Sequence, residues 1–334
     1  MNKVFTAFNI ADLRSDLIER ARSMTRVRAK DHPWMDMTNE EVVRSAGLVL
    51  RDQSSGKEGI TLAAILLFGT DQLIMSVLPQ HKTDAIFRVF NTDRYDDRDV
   101  VLTNLLESYD RLMAFGKKHL NDTFHLDGIQ SVSARDNILR EIVSNLLAHR
   151  DFSNAYVAKL IIEKNCIYTE NANLSHGHGV LNLATFEPFS KNPPISKVFR
   201  EIGLADELGS GMRNTYKYTK MYSGGEPQFI EGDVFRITIP LSEAASVTVG
   251  PELSDVINGT RNETRNETKN GTRKLSKTEE NILAEIRKNP YVTKREICEL
   301  LGVGKSTVAR ATKKLKDHGI IVRVGSTKAG YWKY

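Results

Sequence analysis

The sequence has few of the features that mark secreted, disulfide-bonded or membrane proteins. Its 334 residues include only two cysteines, Cys166 and Cys298, which lack metal-ligand spacing and are expected to form no disulfide. The longest apolar run, Ile60 to Phe68, is far shorter than the about 18 residues of a membrane-spanning helix. The first residues carry acids and no apolar segment of a secretion signal. These absences predict a cytoplasmic protein with no membrane partner.

A complete P-loop is also missing. The run Gly302 to Thr307 contains Gly-Lys-Ser-Thr, which is similar to the end of such a loop. The full pattern needs a glycine five residues before Gly304, and position 299 is glutamate. We therefore interpret this run as the turn of a helix-turn-helix and exclude a P-loop helicase.

Charge is distributed unevenly along the chain. Residues 258–334 hold 18 Lys and Arg against 8 Asp and Glu, a net charge of +10. The remaining residues hold 29 and 34, a net charge of −5. A basic C-terminus on a slightly acidic body predicts contact with a polyanion at that end. A solvated charged surface is the alternative that charge alone leaves open.

Composition and hydrophobic spacing divide the chain into four segments. Residues 258–273 read NGTR NETR NETK NGTR, which cannot bury a core, so we predict a flexible linker over residues 243–274. Residues 1–125 are predicted to form a mixed α/β region, and residues 126–242 an α+β sandwich with helices on one sheet face. Residues 275–334 form the last segment. The predicted fold class is therefore multidomain α+β.

Local signals place the main elements within the first two segments. Asp12 and Thr38 are the residue types that cap helix N-termini. Helical spacing predicts four helices: 12–26, 39–48, 102–120 and 133–149. Apolar and β-branched runs predict strands at 84–90, 157–171 and 234–241.

The order of elements after residue 275 predicts a winged helix-turn-helix. Thr293 precedes Glu296 by three residues, which is a capping-box pattern, and Gly302 supplies a tight turn. Helical spacing predicts three helices, and two short apolar strands follow them: 277–289, 294–301, 307–317, 320–324 and 330–334. A helix-turn-helix followed by a β-hairpin is the winged-helix pattern.

The third of these helices is expected to enter the major groove of double-stranded DNA. Ser306, Thr307 and Arg310 lie on its first turns and are candidates for base or phosphate contacts. Four basic residues of this helix and the wing would contact phosphates: Lys313, Lys314, Arg323 and Lys328. Lys305, at the start of the helix, is a further candidate for DNA binding. The alternative is a winged helix that binds protein.

A polar face on the helix predicted at 133–149 is a candidate for catalysis or metal binding. Glu141 and Asn145 are four residues apart, and His149 follows one turn later, so the three share a face. An amide oxygen can help hold Mg²⁺ against phosphates, and a carboxylate can orient or deprotonate water. The alternative is a polar helix face with no chemistry.

Two longer strings carry a resemblance to a known family. REIVSNLLAHRDF spans residues 140–152, and KNPPISKVFREIGLADELGSGMRN spans residues 191–214. In the second string, Gly209 and Gly211 flank Ser210 before a helical run, so backbone N–H groups there can hold phosphate; the alternative is a plain turn. Together the strings resemble the RecG-like, Schlafen/Alba-associated transcriptional regulators, whose ATP-binding region is a divergent member of the GHKL fold.

The resemblance implies a nucleotide site. Asn145 would help bind Mg²⁺ and ATP, Glu141 would activate water, and Gly209 to Gly211 would form the glycine box. The Asp-x-Gly-x-Gly box typical of GHKL proteins is absent, and the nearest segment is Glu170 to Asn173.

These observations support a DNA-binding transcriptional regulator, acting as a homodimer, whose GHKL-like domain binds a nucleotide as a ligand. Whether it is an enzyme stays open at this point. The alternatives are an ATPase of DNA metabolism or phage defence, targeted to DNA by its winged helix, and a scaffold whose pocket binds nothing.

Overall fold

A computed structural model describes most of the chain. The described residues are 1–91, 93–127, 129–175, 177–187, 189–206, 209–242, 277–289, 292–301, 303–317, 321–324 and 331–333. The predicted linker at residues 243–274 lies outside these ranges. The chain divides into two compact units, Met1–Asn258 and Gly259–Tyr334.

The first unit mixes helices and strands throughout. Its helices are α1 Ser15–Met24, α2 Asn39–Ser45, α3 Leu62–Phe68, α4 Asp71–Val77, α5 Leu105–His119, α6 Ala134–Ala148, α7 Pro193–Glu201 and α8 Ser210–Ser223. Its strands are β1 Val4–Phe5, β2 Val49–Arg51, β3 Glu58–Thr61, β4 Thr83–Arg88, β5 Asp97–Val101, β6 Phe124–Asp127, β7 Gln130–Ser133, β8 Ala158–Glu163, β9 Cys166–Ala172, β10 Gly179–Val180, β11 Gln228–Glu231 and β12 Val234–Pro240.

A seven-stranded mixed sheet organises this unit, in the order β10-β11-β12-β9-β8-β4-β5. β4 and β8 pair in parallel, with Ala85 opposite Leu160, whereas β8 and β9 pair as an antiparallel hairpin. Strands β4 and β5 come from the predicted 1–125 region and the other five from the predicted 126–242 region. The structure therefore joins the two regions in one sheet and one hydrophobic core.

Helices α5, α6 and α8 lie side by side and pack against this sheet. The face of the sheet that these helices cover carries buried apolar side chains such as Phe87, Ile162 and Ile237. Burial of each such side chain stabilises the fold by about 1.5–3 kcal/mol. The opposite face includes Arg236, which is ion-paired with Glu170. This layering fixes α6, the helix that carries the candidate polar face.

Helix capping in the N-terminal region follows one of the two predicted patterns. Thr38 caps α2 as predicted, since its Oγ1 accepts the Glu41 N–H at 3.3 Å and the Glu41 carboxylate accepts the Thr38 N–H at 2.8 Å. The prediction for Asp12 was wrong, because Asn9 caps a short 3₁₀ helix in which Asp12 accepts the Asn9 N–H at 2.8 Å. Helix α1 then begins separately, at Ser15.

The second unit contains three helices and a hairpin among its described residues: α9 Lys277–Lys288, α10 Lys294–Leu301, α11 Lys305–Asp317, β13 Val322–Val324 and β14 Tyr331–Lys333. The predicted capping box is present, because the Glu296 carboxylate accepts the Thr293 N–H at 2.7 Å. Trp332 is 3% exposed and donates from Nε1 to the Val292 carbonyl at 2.8 Å, which ties the hairpin to the helices. Across the described part of the whole chain, no helix is both long and apolar enough to cross a membrane.

Candidate functional site

Helix α6 is fixed at both ends by side-chain hydrogen bonds. The Ser133 hydroxyl accepts the Asp136 N–H at 3.0 Å at its N-terminus. At its C-terminus, the amide of Asn192 donates to the carbonyls of Ala148 at 2.9 Å and Arg150 at 2.8 Å. Because Asn192 lies at the start of α7, these two hydrogen bonds hold the start of α7 against the end of α6.

A cavity of about 130 Å³ lies between α6, α8, the 186–206 segment and the sheet. It brings together the residues predicted for the nucleotide site, which are Glu141, Asn145, Gly209, Ser210 and Gly211. Apolar walls come from aromatic side chains of the loop before α7 and of β11 and β12: Phe186, Phe189, Phe229 and Phe235. A few convergent polar groups in a mostly apolar cavity are typical of small-molecule sites.

The side chain of Asn145 has an unsatisfied oxygen. Its Oδ1 is buried and accepts no hydrogen bond from any described residue. A buried acceptor without a donor is costly, by about 1–3 kcal/mol, and calls for a partner such as a ligand or ion. Its position on the cavity wall makes this oxygen available to a bound molecule.

Glu141 is held by groups from two other positions. Its Oε1 accepts the Asn214 amide at 3.1 Å and lies 3.6 Å from the Arg140 guanidinium. Burial raises the pKa of Glu141 above its usual value, while Asn214 and Arg140 act in the opposite direction. A carboxylate with a raised pKa is a better proton acceptor at neutral pH, so Glu141 can serve as a base.

Glycines at the start of α8 allow a close approach between that helix and α6. Gly209 stands at the N-cap position with φ +92°, a conformation that strains any residue with a side chain. A Cβ on Gly211 would lie 2.9 Å from Glu141 Oε2. The first N–H groups of a helix lack acceptors within it, and here they start beside the cavity.

The sequence patterns did not predict Lys191 as a residue of the site. Lys191 and Asn145 both line an adjoining cavity of about 50 Å³. Lys191 lies 3.5 Å from the buried Glu231 and sits over the rings of Phe189 and Phe235 at 5.4 and 5.7 Å. Burial lowers the pKa of Lys191 and lowers that of His149 to about 4. His149 is therefore neutral at pH 7, whereas Lys191, paired with Glu231, lies beside Asn145 in this cavity.

Glu170 to Asn173, the segment nearest to the missing Asp-x-Gly-x-Gly box, makes other contacts. Glu170 on β9 accepts a hydrogen bond from the Tyr156 hydroxyl at 2.8 Å and pairs with Arg236. Asn173 donates to the Gly232 carbonyl at 2.8 Å. In the described ranges, residues 170–173 line neither of these two cavities.

In the second unit, helix α11 has a buried stripe formed by Val308, Ala311, Thr312 and Leu315. Helical spacing puts positions 306, 310, 313 and 314 on the opposite side, and Thr307 is exposed. Four of the predicted DNA-contact positions on this helix therefore share one face. Among the predicted DNA contacts, Lys328 lies wholly outside the described residues. The structure also does not describe the side chains of Lys305, Ser306, Arg310, Lys313, Lys314 and Arg323.

Comparisons with known proteins match both ends of the chain. Residues 2–84 match a family described as a domain of unknown function (DUF8451), and a search of curated proteins finds no significant match. Among solved structures, the chain is similar to the DIP2311 protein from Corynebacterium diphtheriae, with a TM-score of 0.53 and 17% identity. That match covers 99% of this chain and 63% of the other, and it shows similarity of fold alone.

Residues 275–322 match the winged helix-turn-helix DNA-binding family. The helices α9 to α11 and the strands β13 and β14 follow in the order that this family requires. The C-terminal unit therefore carries a winged helix-turn-helix DNA-binding domain.

Proposed function

We propose that this protein is a transcriptional regulator that binds duplex DNA through its winged helix and a nucleotide through its first unit. The observation that carries the DNA function is the family match over residues 275–322. A homodimer would present two such helices to paired half-sites. Fluorescence anisotropy of the full chain with duplex DNA tests the proposal, and binding that is absent at low salt would contradict it.

The cavity beside α6 supports the nucleotide part of the proposal. Asn145 offers a buried acceptor oxygen without a donor, which suits Mg²⁺ or an amine of the ligand. Gly209 to Gly211 open a helix of 14 residues beside it, and helix N-termini favour phosphate. The residues therefore fit a Mg²⁺-nucleotide. Asn145 would hold its metal, the start of α8 its phosphates, and the phenylalanine walls its apolar surface.

Replacing Asn145 with alanine is expected to weaken binding of Mg²⁺-ATP by about 10-fold to 100-fold, since a hydrogen bond or metal contact to a charged group is lost. Isothermal titration calorimetry on the full chain measures the affinity. Asn137→Ala is the matched control, because Asn137 lies on the same helix and bonds the Ser133 carbonyl at 2.9 Å. Equal affinities for wild type and Asn145→Ala would remove Asn145 from the site.

A second candidate function is ATP hydrolysis, which the buried Glu141 favours. Its raised pKa and its place on the cavity wall suit a base that takes a proton from water. Under this alternative, Glu141→Ala keeps nucleotide binding and lowers phosphate release by about 10²-fold or more. A wild-type protein that binds ATP without measurable turnover would instead favour a nucleotide sensor.

A further inference from the structure

A second, open groove of about 470 Å³ continues the α6 cavity on the side of α7. The two share Arg200, Ala205, Asp206 and Ser210 as lining residues. Among the described residues that line this groove, three are basic, Arg28, Arg140 and Arg200, and one, Asp206, is acidic. An anionic ligand that enters the α6 cavity would therefore meet positive charge on this side.

The three arginines differ in how they are satisfied. Arg140 is paired with Asp206 and lies near Glu141, so its charge is already balanced. The guanidinium of Arg28 donates to the backbone carbonyl of Arg200 at 2.9 Å. The half-buried Arg200 side chain makes no hydrogen bond or ion pair among the described contacts. A partly buried guanidinium without a carboxylate partner is available to an anion.

Volume also argues that a nucleotide would extend into this groove. The α6 cavity measures about 130 Å³, whereas pockets for small molecules usually measure about 300–1,000 Å³. The adjoining groove, at about 470 Å³, supplies the missing space. Because the apolar walls belong to the α6 cavity, the polar end of a ligand fits the arginine side better.

We infer that Arg200 binds the terminal phosphate of a nucleoside triphosphate, in the groove between α7, the start of α8 and the 27–28 segment. The inference rests on the proposed nucleotide function and names the ligand class as a triphosphate. It also gives the N-terminal region a role at the site. Arg28 lies in the part of the chain that matches the domain of unknown function, and its bond to the Arg200 carbonyl fixes the end of α7.

The affinities of the full chain for Mg²⁺-ATP, Mg²⁺-ADP and inorganic tripolyphosphate test this inference by calorimetry. Arg200→Gln is expected to weaken ATP and tripolyphosphate about 10-fold to 100-fold and to leave ADP nearly unchanged. Arg200→Lys should recover part of the loss. Arg213→Gln is the matched control, since Arg213 is exposed on α8 and lines neither the cavity nor the groove.

The outcomes separate this inference from the proposed function. If wild type binds ATP and Arg200→Gln binds it equally well, or if ATP and ADP weaken together, the role of Arg200 is overturned and the nucleotide site stands. If wild type binds tripolyphosphate but neither nucleotide, the nucleotide function and this inference are both overturned, and only an inorganic phosphate site remains. If wild type binds none of the three, both are overturned. Thermal unfolding of each variant shows whether it is folded.

Discussion

Exchanging Lys313 and Lys314 together for glutamine is expected to flatten the salt dependence of DNA binding by about two units of the log–log slope. Each phosphate contact releases condensed counterions from DNA and contributes about −0.9 to that slope. Four predicted phosphate contacts, Lys313, Lys314, Arg323 and Lys328, would make wild-type affinity fall about 10²-fold between 50 and 200 mM salt. The double variant would lose only about tenfold over the same interval.

Anisotropy titrations of the full chain with a random-sequence duplex at several salt concentrations measure both slopes. Lys57→Gln with Lys220→Gln removes the same charge from exposed positions of the first unit and serves as the control. The control should keep the wild-type slope, because DNA contact is assigned to the winged helix. A double α11 variant that also keeps this slope would show that positions 313 and 314 do not face phosphate.

Trp332→Ala is expected to unfold the second unit, with a loss of about 3–5 kcal/mol. The indole is buried against the helices, and its N–H bond to Val292 would be lost as well. A domain of about 60 residues rarely has more than about 3–5 kcal/mol to lose. Removing this one side chain therefore takes the full stability of the unit and, with it, DNA binding.

Amide hydrogen exchange read by mass spectrometry shows the effect in the intact chain. Protection over α9 to α11 should disappear in Trp332→Ala, while α5 and α6 keep theirs. Leu300→Ala is the control, since Leu300 is 63% exposed and its loss should change stability by less than about 0.5 kcal/mol. Trp332→Phe keeps most of the packing and should cost only about 1 kcal/mol. Protection that survives in Trp332→Ala would contradict the packing described for this residue.

Local chemistry made part of the fold predictable. The helix cap at Thr38 and the capping box at Thr293 could be predicted from the sequence because each acts across three residues. Asp12 shows how this fails, since Asn9 offers a competing cap three residues earlier. The parallel pairing of β4 with β8 joins residues more than 70 positions apart, and no local pattern predicts such a contact.

The residues of the candidate site were likewise predictable only in part from the sequence. Glu141 and Asn145 were visible because four residues bring side chains to one helix face. Lys191 and Arg200 were not, because their availability depends on walls built by distant segments. The backbone carbonyl of Arg200 accepts a hydrogen bond from Arg28, and Lys191 pairs with Glu231 on β11. Neither contact can be predicted from residue spacing.

The parallel pairing of β4 with β8 has a practical consequence for work with fragments. A polypeptide starting at residue 126 would lack both β4 and β5, so β8 would become the edge of the sheet. Its backbone N–H and C=O groups from Ala158 to Glu163 would then be open to pairing with other molecules, next to the apolar Leu160 and Ile162. Such edges promote aggregation. Ligand screening on the cavity beside α6 therefore calls for recombinant protein that retains the first 125 residues.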